Sequence, residues 1–239
     1  MPPTLAGQGS KPIHLNPAAE LAERVLLPGD PQRALAMAQA LLDAPRMFNT
    51  RRGLRGYTGA APDGKAVTIQ ATGMGGPSAA IVVEELIDLG ARRLVRTGTC
   101  GALDPELQLG QVVTAGEVIA GDGASRALGA GERLLPDAAL TAALAAAGGG
   151  PALVVASTDL FYDPRPDALD ELGASVVELE AAAVLAVAAR RGVEAACVLL
   201  VSDLLAGGER RRLPQDELEV GGVRLGEIAL RALADSRAS

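Results

Sequence analysis

Short apolar runs alternate along this chain with longer stretches in which apolar residues recur at helical spacing, a pattern that predicts strands joined by helices. Arg24 to Leu27 (RVLL) is one such run, broken by Pro28-Gly29-Asp30. Pro31 to Leu42 then carries helical spacing, with Asp30 placed as N-cap. From Met47 to Thr72, short alternating runs (YTGA, AVTIQAT) punctuated by glycine and by Pro62-Asp63-Gly64 read as hairpins. Gly73 to Ser78 (GMGGPS) opens a helix from Ala79 to Leu89, and Leu94-Val95 ends the next strand. Further on, the pattern predicts strands at Val112 to Ala120, Leu153 to Ala156, Val176 to Leu179 and Ala195 to Val201. Between and after them it predicts helices at Asp137 to Ala147, Asp167 to Leu172, Ala181 to Arg191 and Leu213 to Leu233. Strands apolar on both faces and linked by helices imply a mainly parallel sheet. The expected fold is α/β, with a central mixed, largely parallel twisted β-sheet flanked by helices. Residues 1–11, rich in Pro, Gly and polar residues, read as a flexible arm ahead of a single domain over 12–235, and 239 residues suffice for one sizeable core.

Ligands of such sheets bind beyond the carboxyl ends of the strands. The polar and aromatic residues that directly follow apolar runs are Asp30, Arg33, Met74, Arg96, Thr99, Phe161, Tyr162, Glu178, Glu180, Ser202 and Asp203. The segment Leu94 to Ala102, LVRTGTCGA, delivers Arg96 and Thr99 into a glycine-broken turn. There Gly98 and Gly101 would let backbone amides approach an oxyanion such as phosphate. A core strand followed by an ordinary turn, its arginine paired with a carboxylate, fits the same residues. Glu178 and Glu180 suit sugar hydroxyls, although Glu178 also reads as a charge favoured by the start of the helix at Ala181. Asp203, closing CVLLVS, suits a general acid, with a turn or helix cap as the structural alternative. Together these groups sketch a phosphate-using sugar reaction.

Composition narrows the classes. Hydrophobic residues make up 49% of the chain, yet no apolar run approaches the roughly 20 residues that span a bilayer, and the N-terminus has no signal-like core. A soluble, cytoplasmic protein is expected. The net charge of −7 argues against nucleic acid as a partner, so the arginines have local roles. Two cysteines, Cys100 and Cys197, make no disulfide framework. The lone histidine, His14, has no metal-ligating companions, and GxGxxG, P-loop and GxSxG motifs are absent. Arg210-Arg211-Arg212 reads as a solvated charge run.

The segments VLLPGDPQR (25–33), FNTRRGLRGYTG (48–59), TGMGGPSA (72–79), VRTGTCGA (95–102), TDLFY (158–162), VELEAAAV (177–184) and VSD (201–203) resemble the bacterial hexameric purine nucleoside phosphorylase and uridine phosphorylase family, nearer its purine branch. The resemblance runs in order from about His14 to the final helix. It implies that Gly29, Arg33, Arg96 and Thr99 hold phosphate, and that Arg52 reaches the phosphate of a neighbouring subunit. It also implies that His14 crosses the same interface to the ribose 5′-hydroxyl. Met74 would lie beneath the ribose and Glu180 would bind its 2′- and 3′-hydroxyls. Phe161 would stack near the base, and Val177, Glu178 and Leu179 would line the nucleoside pocket. Asp203 resembles the acid that protonates purine N7. The implied reaction is reversible phosphorolysis, with inorganic phosphate as co-substrate and neither cofactor nor metal. The implied assembly is a homo-oligomer with shared sites, a hexamer built as a trimer of dimers.

Two departures stand out. The arginine that assists the acid in the purine enzymes has no single match in LLAGGERRRLPQDE, which leaves Arg210, Arg211, Arg212 or none of them in that role. Leu179 replaces a methionine common in that segment. Uridine phosphorylases carry a longer insertion after the FY motif, with a glutamine and an arginine for uracil; FYDPRPDALDELGAS is short and has no glutamine, so purine is the expectation. The alternatives are a uridine phosphorylase, a nucleosidase of the same fold and a catalytically silent nucleoside-binding protein.

Overall fold

The computed structural model describes residues 12–164, 173–206 and 210–235; the expected arm at 1–11 and the helix expected from Asp167 to Leu172 lie outside them. The chain runs β1 (Arg24–Leu27), α1 (Pro31–Leu41), β2 (Asp43–Asn49), β3 (Gly56–Ala60), β4 (Ala66–Gln70), α2 (Gly76–Asp88) and β5 (Arg93–Ala102). It continues through β6 (Val112–Ala120), the short α3 (Gly123–Ala127), β7 (Arg133–Leu134), α4 (Ala138–Ala146) and β8 (Ala152–Ser157). It closes with β9 (Val176–Glu178), α5 (Ala181–Arg191), β10 (Glu194–Leu204), β11 (Arg211–Arg212) and α6 (Gln215–Asp235).

All strands join one mixed sheet whose central run β4-β1-β5-β10 is parallel. Beyond that run, β10 pairs antiparallel with β6, which leads through β8 and β9 back to β5. These five strands therefore close on themselves like a small barrel. The strands β1, β4, β3 and β2 extend from it as an open wing. Ring closure depends on pairings distant in sequence, which no local pattern displays.

Strand periodicity of two separates two apolar cores. Val25, Leu27, Leu94, Cys197, Leu199 and Val201 face α2 and α5, meeting Val82, Val83, Leu86, Val184 and Val187. Leu26, Val95, Ala196, Val198 and Leu200 face the other way, toward Met37 of α1, Leu140 and Leu144 of α4, and Leu225 and Ile228 of α6. Helix starts are fixed by side chains. Asp30 Oδ1 accepts from the Gln32 amide at 2.8 Å and Asp137 Oδ1 from Leu140 at 2.8 Å. Several predicted boundaries move, and two of them bear on the site: α2 begins at Gly76 and not at Ala79, because Gly-Pro-Ser forms a first turn without apolar spacing. The expected glycine turn after Val95 is instead strand, β5 continuing through Ala102. Among the described residues no helix is long and apolar enough to cross a membrane.

Candidate active site

Leu27, the last residue of β1, lies in register with Arg96 of β5, so the loop Pro28–Asp30 leaves the sheet beside the Arg96 backbone. The loop after β4 runs alongside: the amides of Thr72 and Gly73 donate to the carbonyls of Pro28 (2.9 Å) and Gly29 (3.0 Å). A side chain on Gly29 would meet the Gly73 carbonyl at 3.2 Å, which keeps the two loops close. Arg33 follows one turn into α1 and comes within electrostatic reach of Arg96 and Glu180. Its stem rests against α6 at Gly222, where a Cβ would sit 3.0 Å from Arg33 Cγ and Cδ.

Arg96 is buried and folds back over its own strand. Gly98 makes this possible, since a Cβ there would stand 2.7 Å from Arg96 Nη2. Gly101 likewise accommodates the Leu205 side chain, which a Cβ would meet at 2.5 Å. Both glycines thus make room for side chains, whereas the sequence led us to expect ligand approach to backbone amides. Arg96 Nε donates to Glu178 Oε2 at 2.8 Å, Nη2 bonds Glu180 Oε2, and Nη1 is buried with no hydrogen-bond partner. Burial opposes the Arg96 charge, but the Glu180 and Glu178 carboxylates outweigh it and hold the guanidinium firmly protonated. Burial also pulls Arg33 below the usual arginine range; Asp30 opposes this and the Arg96 charge adds to it. Two adjoining guanidiniums, one with an unmet buried donor, make a site for an oxyanion.

Glu178 ends β9 and Glu180 is the N-cap of α5, so the chain turns between them and both carboxylates reach Arg96. Glu178 also accepts from the amides of Glu180 (2.9 Å) and Ala181 (2.9 and 3.0 Å) and from the Ser157 hydroxyl. With about four lone-pair sites on a carboxylate, its oxygens are occupied by protein donors. Glu180 Oε1 accepts from the Gly75 amide at 2.6 Å, beside the exposed Met74 at the start of α2. Burial first, and then the Glu178 charge, push the Glu180 carboxyl up, while Arg96 pulls it down.

Val177 and Asp203 flank Gly101 from β9 and β10. The β10 register slips between Val201 and Asp203, a bulge that leaves Ser202 unpaired against β5 and re-aims the acid. Asp203 is buried; the Ser202 hydroxyl lies 2.7 Å from its Oδ2, and Arg210 Nε donates to Oδ1 at 2.8 Å. The Arg210 guanidinium also covers the half-exposed Phe161 ring at 4.3 Å. Of the three candidate arginines Arg210 is therefore the hydrogen-bonded partner of Asp203; Arg212, opposite Asp203 in the β10–β11 ladder, holds its Nε 3.9 Å from the carboxylate, and Arg211 pairs with Leu204. Thr99 and Leu179 are half-buried, Thr99 in register with Leu200 and Leu179 between the two glutamates.

Among the described residues no hydrogen bond or ion pair joins His14 or Arg52 to this cluster. Residues 13–18 are tied to the β2–β3 connection: the Asn16 amide donates to Asn49 Oδ1 (3.0 Å), Arg51 Nη1 to the Ile13 carbonyl (2.9 Å) and the Ala18 amide to the Phe48 carbonyl (2.8 Å). Arg52 is exposed on that connection, with a left-handed φ of 56°. His14 bonds Glu85, ten residues along α2 from Gly75, or about 15 Å at 1.5 Å rise per residue. The two side chains expected to serve a neighbouring subunit are thus carried by one patch.

Sequence reasoning missed Ser157, which bonds Glu178 and accepts from the Ala182 amide at 2.9 Å. It closes the apolar run of β8, so the strand-end rule would have found it. Among the described residues no three His, Cys, Asp or Glu side chains are grouped to hold a metal ion.

Arginines, buried carboxylates and an acid on a β-bulge, set on a partly closed mixed sheet, form the kind of site an α/β enzyme uses, with donors suited to an oxyanion. The chain belongs to the phosphorylase superfamily, whose family model matches residues 23–234. It is 38% identical over 232 residues to the DeoD-type purine nucleoside phosphorylase of Jannaschia sp., covering 92% of this chain and 98% of that one. It is 35% identical over 223 residues to the DeoD-type enzyme of Geobacillus kaustophilus, covering 89% and 93%. A third relative, the DeoD-type enzyme of Caldanaerobacter subterraneus, is 38% identical over 205 residues, covering 80% and 86%.

Proposed function

We propose that the protein catalyses reversible phosphorolysis of purine ribonucleosides and deoxyribonucleosides to free base and pentose 1-phosphate. The observation that carries this reading is the buried, unpartnered Nη1 of Arg96 beside Arg33. A phosphate there, with Gly29 and Thr99 at its edges, meets the orphan donor and is placed to attack C1′. Glu180 holds the ribose hydroxyls, Met74 lies beneath the sugar and Phe161 lies beside the base. Glu178, its oxygens taken by Arg96 and α5, acts as a positioning residue. Val177 and Leu179 line the pocket. Asp203 gives its proton to N7 of the departing purine, and Arg210 stabilises the negative charge left on the carboxylate. Phosphate is a co-substrate, and these roles call for neither cofactor nor metal.

Purine is favoured over uridine by the names of the relatives and by the short FYDPRPDALDELGAS segment. A nucleosidase has no use for the double-arginine site. With His14 about 15 Å along α2 from its own chain's Gly75, it and Arg52 complete the site of a neighbouring subunit, in a hexamer assembled as a trimer of dimers. The working compartment is the cytoplasm. Initial rates with inosine, adenosine and uridine, each with and without phosphate, test the reading. Phosphate-dependent cleavage of the purine nucleosides supports it, and a strong preference for uridine refutes it.

A further inference from the structure

Glu85 lies outside the cluster of arginines and carboxylates, yet its carboxylate gathers four donors. Its oxygens accept from three consecutive amides, Ile13 (3.0 Å), His14 (2.9 and 3.0 Å) and Leu15 (2.7 Å), and lie 2.7 Å from His14 Nδ1. The segment so held has no helix or strand of its own. Glu85 lies on α2, whose first turn carries the Gly75 amide bonded to Glu180. One rigid helix therefore supports both a chain's own sugar site and the histidine offered to a neighbour.

We propose that Glu85 is a positioning residue that fixes the ring orientation and tautomer of His14, making it an acceptor for the nucleoside 5′-hydroxyl. A carboxylate only accepts, so the contact requires the proton on Nδ1, and in the neutral ring Nε2 then presents its lone pair outward. Burial pushes the Glu85 carboxyl up, but the amides of His14 and Leu15, the imidazole and the Ile13 amide more than reverse this and keep it ionised. The hydroxyl donates to His14 while its own oxygen stays free to accept, so a nucleoside lacking that hydroxyl loses the one contact this tautomer makes.

The inference rests on His14 serving the sugar across a subunit boundary, and the test separates the two ideas. It compares kcat/KM for inosine and 5′-deoxyinosine in the assembled wild-type enzyme, Glu85→Ala and His14→Ala. A single hydrogen bond is worth about tenfold in the wild-type ratio. His14→Ala brings the ratio near one if the sugar contact is real; an unchanged ratio overturns the reading of His14. Glu85→Ala, which removes the acceptor that orients Nδ1–H, frees the ring to turn; it also brings the ratio near one and leaves 5′-deoxyinosine nearly unaffected. An equal loss on both substrates, or a ratio that collapses in His14→Ala only, overturns the role of Glu85. Because His14 is the only histidine, a solid-state ¹⁵N spectrum of histidine-labelled wild-type enzyme at about pH 8 gives a readout independent of any variant. Protonated Nδ1 with bare Nε2 is the expected result; any other protonation pattern contradicts the proposal.

Discussion

Arg210 Nε donates to Asp203 Oδ1 at 2.8 Å, joining the loop before β11 to the end of β10, and the same guanidinium covers Phe161. The Asp203 carboxyl, its charge partner and the Phe161 ring thus form one unit. General-acid catalysis is worth roughly 10²- to 10⁴-fold, so Asp203→Asn loses kcat on that scale with adenosine. Arg210→Ala, which removes the partner and leaves the proton, loses about tenfold. Steady-state kinetics on the two variants check the order; equal losses would mean that Arg210 does more than stabilise the carboxylate.

Gly98→Ala places a methyl 2.7 Å from Arg96 Nη2 and 3.0 Å from Leu199 Cδ2, and the guanidinium has to move. A charge-assisted hydrogen bond contributes about 1.5–3 kcal/mol, so the phosphate KM at saturating inosine rises roughly ten- to a hundredfold. The nucleoside KM changes less. A phosphate KM at the wild-type value would show that Arg96 does not bind the anion.

Shared sites predict complementation. Arg52→Ala and Asp203→Asn are each impaired as homo-oligomers, but in a mixed dimer one site receives both native side chains. Random re-pairing of equal amounts after mild dissociation restores about a quarter of the wild-type sites. Activity that stays at the mean of the two variants would place Arg52 and Asp203 in independent functions.

Away from the site, the Arg24 guanidinium bonds Asp63 at 2.6 and 3.0 Å, and this pairing, against the effect of burial, holds the Asp63 carboxyl at about 2, below its ordinary 3.8. A depressed carboxylate contributes stability above its unfolded value and loses it as pH falls through the folded one. Asp63 is partly exposed, so Asp63→Asn costs about 1 kcal/mol at pH 7. Urea unfolding should show the gap between the two proteins narrowing as pH drops from about 4 toward 2. A gap that widens there has the wrong sign.

What was legible in the sequence followed from local periodicity. Helix α5 and strand β6 have the bounds their apolar spacing predicts, because each is bordered by polar or glycine residues. The strand-end rule collected Arg33, Arg96 and Glu180, which the sheet brings together through contacts far apart in sequence, and Asp203, which it sets beside Gly101. Less was legible where a side chain turns back on its own strand. Gly98 reads as a turn residue, yet its role is to leave space for Arg96. Glu178 invited two readings, a charge at a helix start and a partner of the site, and its carboxylate does both: it caps α5 and anchors Arg96. The choice among Arg210, Arg211 and Arg212 depends on the β10–β11 register, which takes Arg211 and Arg212 into the ladder and leaves Arg210 just ahead of it to bond Asp203, a relation that loop length does not encode.

The central claim is that phosphate, held by Arg33 and Arg96, is the nucleophile. ³¹P NMR of inosine and inorganic phosphate incubated with the enzyme tests it most directly. The predicted result is a growing ribose 1-phosphate resonance matching the hypoxanthine released, reversed on adding excess of both products. Release of hypoxanthine with free ribose and an unchanged phosphate signal would contradict the account.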